Sequence, residues 1–517
     1  MPNTQQTQTG ASEPPQSPHR LEQQRRENRE AVRKLGARPY GKRSDGLISL
    51  AEAKARYDQD ADETFQNAEK LNSESKKGAA DSPQLHIVDL RPVVRVAGRI
   101  VLKRGQGKLI WLQLRDHTTG PAVMIEGQEA DEQTGKSKIE PSIFHGTMAS
   151  DLQIAVSKRD LPGVDFEIAQ QTDLGDIVII EGPLGRTRMG EITVWAKSVE
   201  MASKSIVPPP EKWSGLQDIE QRYRKRYVDL CTNPESMQVF KLRSRMMTRM
   251  REYLGKRDYL EVDTPVLQAM AGGAAARPFR THMNALDIEL FMRIAPELYL
   301  KRLLVGGMPR VYEFSRNFRN EGVDKSHNPE FTSLELYQAY GNYETMADIA
   351  EGLIRDAAMF IAAEIDKPVG DLVLPFMEHQ IDYAQPFTRI PYADLFERAL
   401  GFPMTDTAAA RKDAEKRGLK TKMEDGTPLA DILIINELFE EVAEPTLNPA
   451  RPTFVFDYPA PLSPLTRPHE DRPELAQRWD LFIGGMEMGN AFTELNDPFE
   501  QEQRFLQQGR ASAAGDE

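Results

Sequence analysis

Two stretches of this 517-residue chain alternate apolar and polar residues with a period of two while placing ionisable side chains on one face. From Arg310 to Arg319 the sequence is R-V-Y-E-F-S-R-N-F-R. In an extended strand Tyr312, Phe314 and Phe318 then share one side, and Glu313, Ser315, Asn317 and Arg319 the other. After a loop over 320–328, the segment Phe331 to Tyr340 sets Phe331, Ser333, Glu335 and Tyr337 against Leu334 and Leu336. The two segments predict an antiparallel hairpin with a packed face and a polar face. Unpaired charge in a low-dielectric interior costs several kcal/mol or more. The polar face is therefore either a surface held by a salt bridge or the wall of a pocket for a charged ligand. A third segment favours the pocket. Leu481 to Asp497 (L-F-I-G-G-M-E-M-G-N-A-F-T-E-L-N-D) turns at Gly484-Gly485 and sets Asn490, Phe492 and Glu494 on one face. Glu487 falls out of step with that face unless the chain bulges, and Gly489 permits a bulge.

Upstream the pattern is different. Residues 1–19 are rich in Gln, Thr, Ser and Pro, a composition that buries too little apolar surface to offset the entropy of ordering. A helix is expected from Leu21 to Leu35, stopped by Gly36 and Pro39, and a second, charged one from Leu50 to Leu71, followed by a linker over 76–83. Short β-like runs then appear at Val93–Leu102, Leu109–Leu114, Ala122–Glu126, Gly175–Gly182 and Ile192–Val199. Five short strands suit a small barrel of the OB type. Val94, Val96, Gly98, Ile100 and Leu102 are expected on one face of the first strand, and Lys103, Arg104 and Lys108 around the turn at Gly105 and Gly107. Trp111 follows that basic turn; it is either a platform for an unstacked base or a half-buried core residue. Three prolines, Pro208 to Pro210, mark a hinge into a larger α and β domain. Its first helix should start at Asn233-Pro234 and run to Gly255, with Val239, Leu242, Met246, Met250 and Tyr253 as its apolar stripe. A strand from Tyr259 to Val262 should follow. The domains expected are thus 1–84, polar N-terminus and charged helices; 85–206, barrel; and 207–517, the mixed domain.

Charge limits what such a chain can bind. Sixty-six basic against 79 acidic residues leave a net charge of -13, which argues against general adhesion to nucleic acid and for local contacts only. One basic run, from Arg20 to Arg43, is opposed only by Glu22, Glu27 and Glu30; it is a solvated helix face or a contact patch. The single cysteine, Cys231, excludes an intrachain disulfide, and the first twenty residues lack the apolar core of a signal peptide, so a reducing cytoplasm is expected. No apolar run approaches the ~20 residues that cross a bilayer, so no membrane role is expected.

The string F-R-N-E at Phe318–Glu321, with H-N-P-E-F at His327–Phe331 and E-L-Y at Glu335–Tyr337, resembles motif 2 of bacterial-type class II lysyl-tRNA synthetases. The helix from Pro234 with Y-L-E-V-D-T-P at Tyr259–Pro265 is similar to motif 1, which in that family builds the dimer interface. A-G-G-A-A-A-R-P-F at Ala271–Phe279, R-I-A-P-E-L-Y-L-K at Arg293–Lys301 and E-Q-R-Y-R-K-R-Y-V-D-L at Glu220–Leu230 resemble its lysine-specific members. The similarity runs from about Arg25 to the end, with unusual lengths near 60–80 and 130–170.

The resemblance implies an α+β chain: an N-terminal OB-fold anticodon-binding barrel, then a class II catalytic domain with an antiparallel sheet flanked by helices. It implies ATP-dependent activation of L-lysine to lysyl-adenylate and transfer to tRNA(Lys), by a homodimer joined through the 234–265 region. Glu335, Glu494 and Tyr337 would hold the ε-ammonium of lysine, and Phe492 would line the same pocket. Glu297 and the backbone at Gly273 would take the α-ammonium, with Asn490 and Arg319 on the carboxylate. Arg319, the catalytic residue, would also bind the α-phosphate of ATP. Phe331 would stack on adenine, with Glu321, His327 and Asn328 on the nucleotide. Asp480 and Glu487 would hold Mg²⁺, Asp480 standing where the family usually has Glu. On the barrel, Trp111, Arg99, Lys103 and Arg104 would meet the anticodon.

In one respect the chain departs from the family. No glycine-rich string ending in arginine, the family's motif 3, follows Glu494, which predicts weak or absent ATP activation. The alternatives are a tRNA-binding remnant of a synthetase and an aspartyl- or asparaginyl-type enzyme. M-A-S-K-S at Met201–Ser205 mimics the lysine loop of class I synthetases, but no H-x-G-H string precedes it.

Overall fold

The computed structural model describes residues 20–78, 87–105, 107–118, 151–210, 218–274, 276–324, 327–365, 367–423 and 426–513, the side chains of 73–78 and 507–513 excepted. The chain divides into two compact units, Met1–Leu242 and Arg243–Glu517.

The first unit is built on a closed barrel. Its strands are β1 (Val93–Arg104), β2 (Leu109–Arg115), β3 (Leu152–Ser157), β4 (Ile177–Arg186), β5 (Ile192–Trp195) and β6 (Ser198–Ser203), in the order β1-β2-β3-β5-β4-β6. A further β1–β4 pairing shuts the barrel, and β3 runs parallel to β5. Val94, Val96 and Ile100 point inward from β1 to meet Leu112, Leu114, Ile154, Val178 and Ile180. Each such side chain contributes roughly 1.5–3 kcal/mol on burial. Gly98 sits where a Cβ would lie 2.8 Å from that of Leu114, so any side chain there would push β1 off β2.

Several expectations meet corrections here. A bulge between Ile100 and Leu102 puts Leu102 opposite Gln113 on the outer face and Lys103 opposite the buried Leu112. The run Ile192–Val199 is two strands, not one, broken where Ala196 N donates to Ala155 O and Lys197 N to Glu181 O. The expected strand Ala122–Glu126 lies outside the described residues. The charged helix expected over 50–71 is two helices, Leu50–Ala55 and Gln59–Gly78, because Asp58 offers its Oδ1 to Ala61 N (3.0 Å) and starts a new helix. The first helix, Arg20–Lys34, ends before Gly36 at φ +78° as the sequence suggests, with Val32 in the barrel core.

The helix Pro234–Gly255 has the expected bounds, although Val239 of its predicted stripe is exposed. In the second unit, β7 (Leu260–Glu261) runs parallel to β11 (Arg310–Phe318). β8 (Leu267–Gln268), β9 (Arg280–Met283) and β10 (Ile288–Met292) form a small sheet. β11 (Arg310–Phe318) and β12 (Glu330–Gln338) form the long antiparallel hairpin. Tyr312, Phe314, Leu334 and Leu336 pack with Leu254, Tyr259 and Leu353 beneath it. β13 (Val373–Phe376) and β14 (His379–Asp382) make a short hairpin. The last sheet has the order β15 (Thr388–Pro391), β16 (Thr453–Phe456), β17 (Arg478–Ile483) and β18 (Met486–Phe492). The helix Tyr343–Glu364, started by a reciprocal Asn342/Thr345 cap, covers that sheet, with Trp479 Nε1 donating to Tyr343 O at 2.7 Å.

Candidate active site

The polar face of β11 and β12 follows from their register. Glu313 lies opposite Glu335, Ser315 opposite Ser333, and Asn317 opposite Phe331. Along β11 this face is satisfied from within. Glu313 is 2% exposed and accepts from Arg293 Nη1 (2.6 Å), Thr264 Oγ1 (2.7 Å) and Thr264 N (3.2 Å). Asn317 Nδ2 donates to Ser333 Oγ at 2.7 Å. Glu335 on β12 is placed otherwise: the Tyr337 hydroxyl, at 3.3 Å, is its hydrogen-bond donor among the described residues. Burial first, then the nearby Glu297, push the Glu335 carboxyl up to about 7. Burial and the carboxylates Glu335, Glu297 and Glu494 push the Tyr337 phenol up as well.

Glu297 opens the helix Glu297–Val305, directly after Pro296. One turn on, Lys301 places its ammonium 2.8 Å from Glu297 Oε1 and 2.9 Å from Glu494 Oε1, and 5.9 Å from the centre of the Phe492 ring. Gly273, at φ +92°, runs so close to this helix that a Cβ would come within 3.0 Å of Glu297 Cβ; the approach needs both the left-handed backbone and the missing side chain. Gly273, Glu297, Glu335, Tyr337, Phe492 and Glu494, named from separated stretches of sequence, thus lie together in one acidic cluster. Burial raises the Glu494 carboxyl against the opposing pull of Lys301.

The β17–β18 hairpin carries a bulge. Leu481 pairs with Gly489 but Phe482 with Glu487, so Met488 is the extra residue. The bulge returns Glu487 to the side of Asn490, whose Nδ2 lies 3.4 Å from Glu487 Oε1, and Asn490 stands opposite Asp480. Asp480 is 5% exposed and clasped by Arg478 through two bonds of 3.0 and 2.8 Å. Burial raises the carboxyls of both Asp480 and Glu487, with Asp480 adding to the rise at Glu487.

Arg319 follows β11. Its backbone N donates to Pro329 O (2.9 Å), its guanidinium lies 5.2 Å from the Phe331 ring centre, and its buried Nε has no partner among the described residues. Glu321 accepts from Arg277 N (3.1 Å), His327 pairs with Asp324 (2.8 Å), and Asn328 is exposed on the same loop.

On the barrel the register sorts the basic residues. Arg104 lies opposite Trp111 on the outer face, with Arg99 on that face also, where its Nη1 donates to Gly175 O at 2.9 Å. Trp111 meets Trp195 edge to face, ring centres 6.0 Å apart. Lys103 is turned inward by the bulge. Its ammonium donates to Ala169 O, Gln170 O and Thr172 O (3.1, 2.9 and 2.7 Å) at the C-terminal end of the helix Val164–Gln170, and burial lowers it to about 8. Those bonds set it apart from Arg104 and Trp111 as a helix-end cation.

Residues 218–517 match the family described as tRNA synthetases class II (D, K and N). The chain belongs to the class II tRNA synthetases. A lysine–tRNA ligase of Carboxydothermus hydrogenoformans is 41% identical over 491 residues, 94% of this chain and 85% of that protein. One from Pelotomaculum thermopropionicum is 44% identical over 430 residues (83% and 76%), and one from Streptococcus suis 38% over 494 (95% and 87%).

Sequence reading missed three parts of this class II synthetase. Arg293 neutralises Glu313 from another segment. Lys301 stands four residues after Glu297, a spacing that reads as a surface helix pair. Glu444, just beyond the π-helical turn Phe439–Ala443, is pushed up to about 7 by burial and by Glu440, Glu487 and Asp480. Among the described residues no helix is long and apolar enough to cross a membrane.

Proposed function

We propose that this class II synthetase is a lysine–tRNA ligase, activating L-lysine with ATP and passing the lysyl group to tRNA(Lys). The observation that carries the reading is the convergence of three carboxylates, Glu297 and Glu494 on the Lys301 ammonium and Glu335 beside Glu297 and Tyr337, with one cation among them. A site with more buried anions than cations is completed by a cationic ligand. Lysine brings two ammonium groups; an aspartate or asparagine side chain would add to the excess of anions or leave it uncompensated. The relatives named as lysine–tRNA ligases support the same choice.

In this reading Glu335, Glu494 and Tyr337 receive the ε-ammonium, Phe492 walls the aliphatic stem, and Glu297 with the Gly273 backbone takes the α-ammonium. Asn490 and Arg319 hold the carboxylate. Phe331 stacks on adenine while Glu321, His327 and Asn328 steady the nucleotide. The ionised carboxylate needs no base: one of its oxygens bonds to the α-phosphorus as the bond to the bridging oxygen breaks and pyrophosphate departs. Arg319, with a free Nε, neutralises charge on the phosphoryl oxygens. The tRNA ribose hydroxyl then attacks the activated carbonyl and AMP leaves.

Mg²⁺ would be held by Glu487 directly and by Asp480, whose two oxygens are taken by Arg478, through water, with phosphate and water completing the shell. When bound it supplies charge neutralisation for the triphosphate. Among the described residues no three His, Cys, Asp or Glu side chains form a metal cluster, consistent with a site shared with the nucleotide. Trp111, Arg99 and Arg104 would meet the anticodon on the outer barrel face. The exposed Val239 and Phe240 on the helix that starts at Pro234 fit a homodimer contact within 234–265. The setting proposed is the cytoplasm.

The test is ATP–pyrophosphate exchange with single amino acids. Lysine-dependent exchange, with none for aspartate or asparagine, is expected; exchange driven by aspartate or asparagine overturns the reading. Binding of tRNA(Lys) without any exchange would favour a synthetase remnant instead.

A further inference from the structure

We propose that Lys301 is a positioning residue for amino-acid recognition: its ammonium, seated between Glu297 and Glu494, is a built-in counter-ion that leaves the cavity with two uncompensated carboxylates for the two ammonium groups of the substrate. The inference rests on the lysine-site reading given under the proposed function.

The geometry resembles the recognition it serves. The Lys301 ammonium has carboxylate oxygens at 2.8 and 2.9 Å and the Phe492 ring at 5.9 Å, the same groups proposed to receive a free lysine. It comes from the helix Glu297–Val305, so its reach is fixed by the backbone that carries Glu297. The charged and titratable groups facing it come from every neighbouring element. Glu297 lies on its own helix, Glu494 follows β18, and Glu335 and Tyr337 are on β12. Farther off, Arg319 follows β11 and Glu313 lies on it, the latter already matched by Arg293.

The count of Glu297, Glu335 and Glu494 is three negative charges, which Lys301 reduces to two. L-Lysine matches two with its α- and ε-ammonium groups, while its own carboxylate is met by Arg319 and Asn490. With Lys301 in place Glu335 already sits at about 7; without it Glu297 and Glu494 lose the cation they share, and the cluster as a whole holds protons more readily. Burial on its own would lower the Lys301 ammonium, yet Glu494 and Glu297 hold it above the ordinary lysine value, so it stays charged through the working range. A pair at i,i+4 on an exposed helix contributes little. This one is half-buried and bridges to a second chain segment, which separates it from that case.

The experiment is calorimetric titration of the full chain with L-lysine from pH 6.0 to 8.5, on the wild type, Lys301→Met and Lys301→Arg. Removing the cation raises the carboxyl values, and the substrate's ammonium groups need those carboxylates ionised. The Met variant should therefore bind L-lysine about tenfold or more weakly at pH 6.5, the factor for one pKa unit. The gap should narrow towards pH 8.5, with more protons released per lysine bound at pH 7. The Arg variant should restore most of the wild-type profile. Should Lys301→Met destabilise the chain, proton release by the wild type in buffers of different ionisation enthalpy still tests the idea: well under two protons per lysine at pH 7 supports it, two or more contradict it. A Met variant with the wild-type Kd and pH profile overturns the role of Lys301 while leaving the lysine site intact. Tighter binding at every pH overturns it too, since Lys301 would then be a competitor. If the wild type binds no L-lysine at any pH, both the site and this inference fall.

Discussion

Each unit of the chain buries a cluster of charges around a lysine, and the two clusters are resolved differently. In the barrel unit Lys204, its side chain fully buried, meets Asp176 Oδ2 at 2.7 Å, Gln171 O at 2.9 Å and Asp173. Further donors complete the arrangement: Ser205 N reaches the other Asp176 oxygen, Oδ1, at 2.7 Å, while Asp173 N (2.7 Å) and Asn28 Nδ2 (2.9 Å) join Lys204 on Asp176 Oδ2 and Asp173 Oδ2. In the second unit Glu297 and Glu494 share Lys301, while the neighbouring Glu335 has one phenol, that of Tyr337. The first cluster is complete without any ligand and the second is not. Burial of charge therefore does not mark a site. An excess of one sign, held open by packing, does.

The largest effect expected from this contrast is structural. Lys204→Met should strand the buried Asp176 carboxylate beside the half-buried Asp173 and lower the protection of β4 amides such as Val178 and Ile180 by about 3–5 kcal/mol in hydrogen exchange. Little change would mean that the cluster relaxes to water. In the acid-rich cavity the same kind of change should act on binding. Glu335→Gln should weaken L-lysine binding by about 2–5 kcal/mol, the range for breaking a buried charge pair, and alter ATP affinity by less than about threefold. Equal losses for both ligands would contradict the assignment.

The pH dependence sharpens the point. Because the folded Glu335 carboxyl sits at about 7, well above the ordinary 4.5, the folded protein holds this proton more tightly than the unfolded chain does. The group's contribution to stability is then favourable below about 4.5 relative to high pH, and falls away as the pH rises from about 4.5 through about 7. Lysine binding runs the other way, strengthening as the carboxylate forms. The slope of log Kd between pH 6 and 8 should flatten in Glu335→Gln. The smallest effect is expected at Lys103. Lys103→Met should cost about 1 kcal/mol of barrel stability, the scale of a cation at a helix C-terminus, with tRNA(Lys) affinity unchanged within about twofold. Trp111→Ala should instead lose about 1–3 kcal/mol of tRNA binding.

Lys103 also shows where the sequence stops being informative. The β11–β12 hairpin is legible because Tyr312, Phe314, Leu334 and Leu336 share one face and Glu313, Ser315, Asn317, Ser333 and Glu335 the other, which pins the register. Gly489 likewise announced the bulge that returns Glu487 to the face of Asn490. The bulge between Ile100 and Leu102 has no glycine to announce it, so Lys103 reads as an outer basic residue although it is turned inward. Strand β3, L-Q-I-A-V-S, is buried on both faces at five of its six residues, so it has no alternation to detect. Around the cavity, the carboxylates came from family-like strings, but the partners of Glu313 and Glu494 are set by tertiary approach: Arg293 and Lys301 are twenty or more residues away in sequence. Charge balance belongs to the folded chain and is not written in any one segment.

The most direct test of that balance compares L-lysine with L-norleucine, which keeps the backbone and the aliphatic stem but ends in a methyl group, by titration into the wild-type chain at pH 7.5. The account predicts binding of lysine and at least a hundredfold weaker binding of norleucine, about 2.7 kcal/mol. Norleucine binding as well as lysine would mean that the cavity reads shape alone and that its three carboxylates are not there for an ammonium.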